Sequence, residues 1–286
     1  MELVTWNIQF GKGCDGKVDL GRIADRIKTL SDPDVICLQE VARFLPEAAP
    51  EADCDQVSLL SDRFPDYEPV FGPALNLSAG RALGRSRQFG NLVLSRLPVL
   101  QVFLHSLPQP PDPAVKHMPR QATELVVEAE GRQLRVMTTH LEFHSEAQRL
   151  AQALRLQQLQ AEVEANSAAG RVASEGLYGF GMRPDACLLC GDFNAGLDDP
   201  TYGALTGSTY RDAWLEIRRG DAHAPTCGIF DHEQWPQGPH CRDYVLASAA
   251  ALPGLREIEV DTETDASDHQ PIRLAFDPVA LPEAGT

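Results

Sequence analysis

The stretch Leu188-Leu189-Cys190-Gly191-Asp192-Phe193-Asn194-Ala195 constrains this chain more than any other. An apolar run of strand length stops abruptly at Gly, carboxylate and carboxamide, which reads as a buried strand carrying polar side chains to one end of a sheet. If the chain stays extended there, Asp192 and Asn194 project to one side and Phe193 to the other. The same grammar recurs elsewhere. Residues 3–8 form a first strand ending at Asn7, residues 34–41 run through Leu38-Gln39 to Glu40, and residues 133–141 deliver Thr138-Thr139-His140. Polar groups behind several buried positions are uncommon unless paired, hydrogen-bonded or metal-bound. Each has an ordinary explanation by itself: a turn-forming Asn, a buried salt bridge, a satisfied core histidine. They gain weight as a set.

Between these runs the pattern is mixed. Asp19 caps a helix over residues 20–30, in which Leu20, Ile23, Ile27 and Leu30 recur at helical spacing, and Ser31-Asp32-Pro33 stops it. The spacing predicts a short helix over 56–64, a strand over 67–77 and a buried strand over 89–96 that ends at Leu97-Pro98. Residues 108–119 form a Pro-rich loop, and residues 120–129 and 133–141 form paired strands around Glu130-Gly131-Arg132. A long helix follows over 145–167, with a loop over 168–184. Further on, short helices are expected near Asp198-Asp199-Pro200 and over 210–216, then strands over 242–246 and 272–276. One domain covers residues 1–277, and residues 278–286 are a frayed tail.

Composition narrows the function classes. A chain of 286 residues, 43% hydrophobic and 23% charged, can bury one large core. Its net charge of −16 argues against broad electrostatic capture of nucleic acid, which depends on Lys and Arg. Seven cysteines cannot all pair, so reduced thiols are expected. No signal-type leader and no bilayer-length apolar run is evident, which suggests a soluble, cytoplasmic protein, taken as a monomer. Cys187 and Cys190 lie three apart in a strand and face opposite sides, as small hydrophobes. Cys227, His232, His240 and Cys241 match no standard zinc spacing, so residues 226–241 read as a loop near the site, with Trp235 as a substrate platform. Arg81, Arg85 and Arg87, in a Gly-rich loop of an acidic protein, are a candidate phosphate clamp.

Two further polar groups complete the order: Asp243 at the start of a strand, and Asp268-His269 before the last one. The local words Trp6-Asn7, Leu38-Gln39-Glu40, Thr139-His140-Leu141, Gly191-Asp192-Phe193-Asn194, Arg242-Asp243-Tyr244 and Ser267-Asp268-His269 resemble the endonuclease/exonuclease/phosphatase superfamily, also called deoxyribonuclease I-like. The resemblance spans the first strand to the last. It implies an α+β fold, a four-layer α/β/β/α sandwich of two mostly antiparallel sheets flanked by helices. It also implies Mg²⁺- or Mn²⁺-dependent hydrolysis of a phosphate ester by in-line water attack. The oxygen donors Asn7, Glu40 and Asp268 suit such a hard cation.

Carried over by position, the resemblance implies that Glu40 is the main metal ligand, with Asn7 beside it and Asp268 as a further one. Asp192 would orient and deprotonate the attacking water, and Asn194 would fix Asp192 or a phosphate oxygen. Asp243 would hold His269 in one tautomer, and His269 would bind a non-bridging oxygen or share the proton transfer. His140 would protonate the leaving oxygen. The substrate is a phosphate ester, whether small-molecule, lipid-derived or nucleic acid; a phosphodiester is the first expectation, and the low basicity favours a small or lipid-derived phosphodiester, or a phosphomonoester, over DNA. A repair-type nuclease and a non-catalytic scaffold of the same fold are the competing expectations.

Overall fold

The computed structural model describes residues 1–78, 85–170, 175 and 181–281. Strands β1 (Glu2–Asn7), β2 (Val35–Arg43), β3 (Glu68–Ser78), β4 (Ser86–Ser95), β11 (Leu255–Val260) and β12 (Ile272–Phe276) form one sheet, in the order β11-β12-β1-β2-β4-β3. The second contains β5 (Val99–Ser106), β6 (Gln121–Ala129), β7 (Arg132–His140), β8 (Cys187–Asp192), β9 (Tyr210–Asp212) and β10 (Asp243–Ser248), ordered β5-β6-β7-β8-β10-β9. At the centre of each sheet two strands run parallel, β1 with β2 and β7 with β8, and antiparallel partners flank them. Strands covered on both faces lose the alternation of polar and apolar residues, which is why β2 and β8 stand out in the sequence.

Alternation along the strands divides the core. Leu3, Val35, Cys37, Val136, Leu188 and Cys190 meet between the sheets. Val4, Trp6, Ile36 and Leu38 face outward beneath α1 (Leu20–Leu30) and α2 (Gln56–Arg63). On the other sheet Met137, Cys187 and Leu189 face outward beneath α3 (Glu146–Ala169) and α4 (Pro200–Thr206). The result is the four-layer α/β/β/α sandwich, with Cys187 and Cys190 on opposite faces of β8 as free thiols. Helix α1 starts where the Asp19 side chain accepts from Arg22 N–H, and α3 where Ser145 accepts from Gln148 N–H. The hairpin between β6 and β7 turns at Glu130 (φ 52°) and Gly131 (φ 73°), the positive pair that a two-residue turn requires.

Several expectations need correction. Residues 210–216 are not one helix: β9 comes first, and α5 (Ala213–Ile217) follows with Asp212 as its cap. Strands β5 and β11 lie at sheet edges, where half-open surroundings leave no continuous apolar run to read. The chain after Asp277 is ordered at its start, because Pro278–Ala280 forms a helical turn and Leu281 packs into the core between the sheets. The Pro-rich loop after β5 is fastened to α3: Ser145 Oγ donates to Asp112 (2.6 Å), and the Gln148 and Gln152 amides donate to the carbonyls of Pro110 (2.8 Å) and Pro108 (3.2 Å).

Candidate active site

Parallel pairing brings strand ends together, and the site is built on that fact. Asn7 at the end of β1 lies beside Gln39 of β2, one residue before Glu40, while His140 at the end of β7 lies opposite Asp192 at the end of β8. Because β10 runs antiparallel to β8, its first residue, Asp243, faces the last residue of β8, Asp192. Residues 267–269 are tied to β1 by Trp6 Nε1 donating to the His269 carbonyl (2.8 Å) and Ser267 Oγ donating to the Asn7 carbonyl (2.8 Å). Six separate stretches therefore converge on one end of the sandwich.

The backbone is bent to aim these groups. Glu40 has φ 59° at a register shift between Leu38 and Val41, a conformation that costs an L-residue on the order of 1–3 kcal/mol and turns the carboxylate out of the strand. Gly191 has φ 129°, and a Cβ there would lie 2.0 Å from the Thr139 carbonyl oxygen, so only glycine fits before Asp192. The extended continuation expected beyond Asp192 is not found. Asn194 has φ 51°, its N–H donates to Asp192 Oδ1 (2.8 Å), and its amide donates to the Leu141 carbonyl (3.0 Å). It still lines the same cavity as Asp192.

Asp192 Oδ2 is the hub. Asn7 Nδ2 donates to it at 3.0 Å, His140 Nε2 lies 3.5 Å away and His269 Nε2 3.7 Å away. Burial pushes the Asp192 carboxyl up, but His269, His140, the Asn7 amide and the Asn194 N–H outweigh it and hold the group below its ordinary value. His269 experiences the reverse. Burial works against its charge, yet Asp243, Asp192 and Asp268 raise its pKa well above the ordinary imidazole value, and its Nδ1 lies 2.8 Å from Asp243 Oδ2. Thr226 Oγ1 donates to the same Asp243 oxygen at 2.7 Å. Burial, then the Arg120 charge, push His140 down to about 3, so the two imidazoles differ in charge at neutral pH: His269 is protonated and His140 is not.

Glu40 and Asp268 form an oxygen-rich corner short of cations. Burial and the Asp268 charge push Glu40 up to about 7, and its close polar partners are the Asn7 amide (3.1 Å) and His140 Nδ1 (3.9 Å). His140 Nδ1 is itself a buried nitrogen without a hydrogen-bond partner. Mutually repelling carboxylates that no Lys or Arg bonds among the described residues fit a hard divalent cation. Asn7 stands differently from expectation: its Oδ1 accepts from Gln9 N–H (3.1 Å), and its Nδ2 bridges Glu40 and Asp192. Asp192, Asp243 and His269 also offer ligand atoms within 4.8 Å of one another, a second group of a spacing that one ion could bridge.

The substrate-side groups differ most from the sequence reading. Arg81 lies outside the described residues. Arg85 pairs with Asp53 (3.2 Å) over the Phe44 ring, and Arg87 pairs with Glu47; neither lines the cavity at Asp192, so Arg85 and Arg87 are surface ion pairs and not a clamp on it. Trp235 does line the cavity, but it is 2% exposed, its Nε1 points to Asp268 Oδ2 (3.4 Å), and the Arg242 guanidinium covers it at 4.9 Å. It is a wall, and Phe143 beside it, 37% exposed, is the aromatic ring open to solvent. Lys116, Arg120, Phe143, His144 and Gln234 line the cavity without having been anticipated. Arg120 was readable in principle. The turn at Glu130-Gly131 sets Ala129 opposite Arg132 and Ala122 opposite Thr139, and the same register carried on brings Arg120 alongside the end of β7.

The profile of the endonuclease/exonuclease/phosphatase family matches residues 4–269, and the chain belongs to that family. Among solved structures it is similar to an endonuclease/exonuclease/phosphatase from Beutenbergia cavernae, with a TM-score of 0.70 and 24% identity over 96% of this chain and 70% of that one. A mannosyl-6-phosphatase from Bacteroides thetaiotaomicron superimposes with a TM-score of 0.70 at 16% identity, over 97% of this chain and 99% of that one. A 3′ phosphatase from Neisseria, bound to a product DNA hairpin, gives 0.62 at 18% identity over 97% and 99%. No curated protein sequence matches the chain. No helix among the described residues is long and apolar enough to cross a membrane.

Proposed function

We propose that this protein hydrolyses phosphate esters with the help of Mg²⁺ or Mn²⁺, by direct attack of water on phosphorus. The observation that carries this reading is the buried Asp192 carboxylate with the Nε2 atoms of His140 and His269 within 3.7 Å of one of its oxygens. Glu40 and Asp268 would hold the cation, which when bound polarises a phosphoryl oxygen and offsets charge on the leaving oxygen. Asp192 accepts a hydrogen bond from water and orients it, while Asn7 and the Asn194 N–H keep its two oxygens in place. His269, protonated and backed by Asp243, donates from Nε2 to a phosphoryl oxygen as negative charge builds there. Because His140 is neutral, we assign proton donation to His269 and leave His140 as a hydrogen-bonding group at the same oxygens.

The names of two structural neighbours, a mannosyl-6-phosphatase and a 3′ phosphatase, support phosphoester chemistry. A nuclease is the second reading, and the −16 charge weighs against broad DNA capture. Seven free thiols support a reducing, cytoplasmic setting. The test is hydrolysis of p-nitrophenyl phosphate, bis(p-nitrophenyl) phosphate and plasmid DNA with Mg²⁺ or Mn²⁺. Asp192→Asn is expected to lower kcat/KM by about 10²–10⁴ with the fold retained, as for loss of a positioned acid–base group. Equal rates for Asp192→Asn and wild type would reject the role of Asp192.

A further inference from the structure

The cavity beside Asp192 contains a cation that the steps above leave unused. Arg120 is 7% exposed and lines that cavity with Glu40, His140 and Asp192. Its Nε donates to Glu142 Oε2 (3.3 Å), and Glu142 is in turn gripped by the N–H groups of Met118 (3.2 Å) and His144 (3.0 Å). Among the described residues no acceptor engages the two terminal nitrogens of Arg120. A guanidinium so nearly removed from water, and anchored through one nitrogen only, presents its remaining donors to whatever enters the cavity. Its charge reaches both Glu40 and His140. Lys116 stands in the same cavity, on the loop that α3 fastens through Ser145, Gln148 and Gln152.

We propose that Arg120 and Lys116 form a subsite for the terminal oxygens of a phosphate, and that the substrate is a small phosphomonoester. The inference rests on the hydrolase reading above and sharpens its substrate. A diester offers two non-bridging oxygens sharing one negative charge, whereas a monoester offers three terminal oxygens and close to two charges at neutral pH. His269 can hold one oxygen, the planar fork of Arg120 can hold two, and Lys116 adds a point charge. The donors that Arg120, Lys116 and His269 place around a cavity of about 420 Å³ outnumber the two non-bridging oxygens of a diester.

The test compares wild type, Arg120→Gln, Arg120→Lys and Lys116→Ala on p-nitrophenyl phosphate and bis(p-nitrophenyl) phosphate with Mg²⁺. Circular dichroism and Tm serve as the check on folding. Arg120→Gln is expected to lower kcat/KM about 10²-fold on the monoester and less than about fivefold on the diester, with partial recovery in Arg120→Lys. Lys116→Ala, at an exposed position, is expected to raise KM for the monoester about tenfold with little change in kcat. Equal losses on both substrates, or no loss on the monoester, would overturn the proposal. Calorimetry of inorganic phosphate binding to the metal-free protein separates the two levels. Weakening by tenfold or more in Arg120→Gln supports the subsite even if wild type hydrolyses neither ester, in which case the hydrolase reading fails alone. Unchanged phosphate affinity removes the subsite even if hydrolysis is found.

Discussion

Glu124 and Glu40, two carboxylates in the same sandwich, sit in opposite electrical company. Glu124 lies on the outer face of β6 under α3, with His105 Nε2 at 2.8 Å and the guanidinium groups of Arg135 and Arg183 each at 3.4 Å. Burial pushes its pKa up, but these three partners more than compensate and hold it below the ordinary value. Arg135 is satisfied in turn by the Pro184 carbonyl (2.7 Å) and by Gln160. Around Glu40 the balance is reversed: Glu40, Asp192, Asp243 and Asp268 share one imidazolium and one guanidinium, and Glu40 is driven up to about 7. A closed ion cluster stabilises a fold, whereas one left short of positive charge can take up a cation. The difference between the two is the difference between structure and function in this molecule.

The comparison breaks most sharply if the closed cluster is opened. Glu124→Gln strands Arg135 as a buried charge and is expected to cost about 3–5 kcal/mol in urea denaturation, with kcat/KM of the folded fraction unchanged. A stability loss under about 1 kcal/mol would mean that Arg135 does not depend on Glu124 for its charge balance.

The two carboxylates also carry opposite pH signs. Glu124 has a lowered folded pKa, so its stabilisation is complete above the unfolded value of 4.5 and is lost as the pH falls through the folded one. Glu40 has a raised folded pKa, so its ionisation costs nothing below 4.5, and the cost builds as the pH rises to about 7. In metal-free protein, Glu40→Gln is therefore expected to stabilise by on the order of 1–3 kcal/mol at pH 8 and to have little effect at pH 4. Thermal unfolding at both pH values measures it, and a destabilised variant at pH 8 would contradict the assignment. The smallest effect is expected at the surface: Arg87→Ala, which removes the pair with Glu47, should shift stability by less than about 1 kcal/mol and leave KM unchanged. A rise in KM would bring Arg87 back to the substrate.

What could be read from the sequence follows the same physics. Asn7, His140 and Asp192 were visible because each ends a strand buried on both faces, and Glu40 because it interrupts such a strand at a register shift; a polar residue at such a place has few reasons to be there. Asp243 and His269 were visible because their order matched a family pattern. Whether a histidine in the site is charged was not visible, since it depends on which carboxylates and guanidinium groups converge from distant segments. The left-handed turn at Glu40 was hidden because glutamate does not signal positive φ, and the one at Asn194, a residue type that favours it, was hidden because the apolar run before it reads as a strand carried on. Arg85 and Arg87 misled because the acids that neutralise them, Asp53 and Glu47, lie over thirty positions earlier in the chain. Arg120, by contrast, needed only the hairpin register to be counted back from its turn.

The most direct measurement is calorimetric titration of Mn²⁺ into metal-free wild type, Glu40→Gln and Glu124→Gln, each shown to be folded. The expected result is binding by wild type and Glu124→Gln and its loss in Glu40→Gln. Failure of folded wild type to bind Mn²⁺, or undiminished binding by Glu40→Gln, would contradict the claim that the cation-poor cluster at the strand ends is a metal-dependent active site.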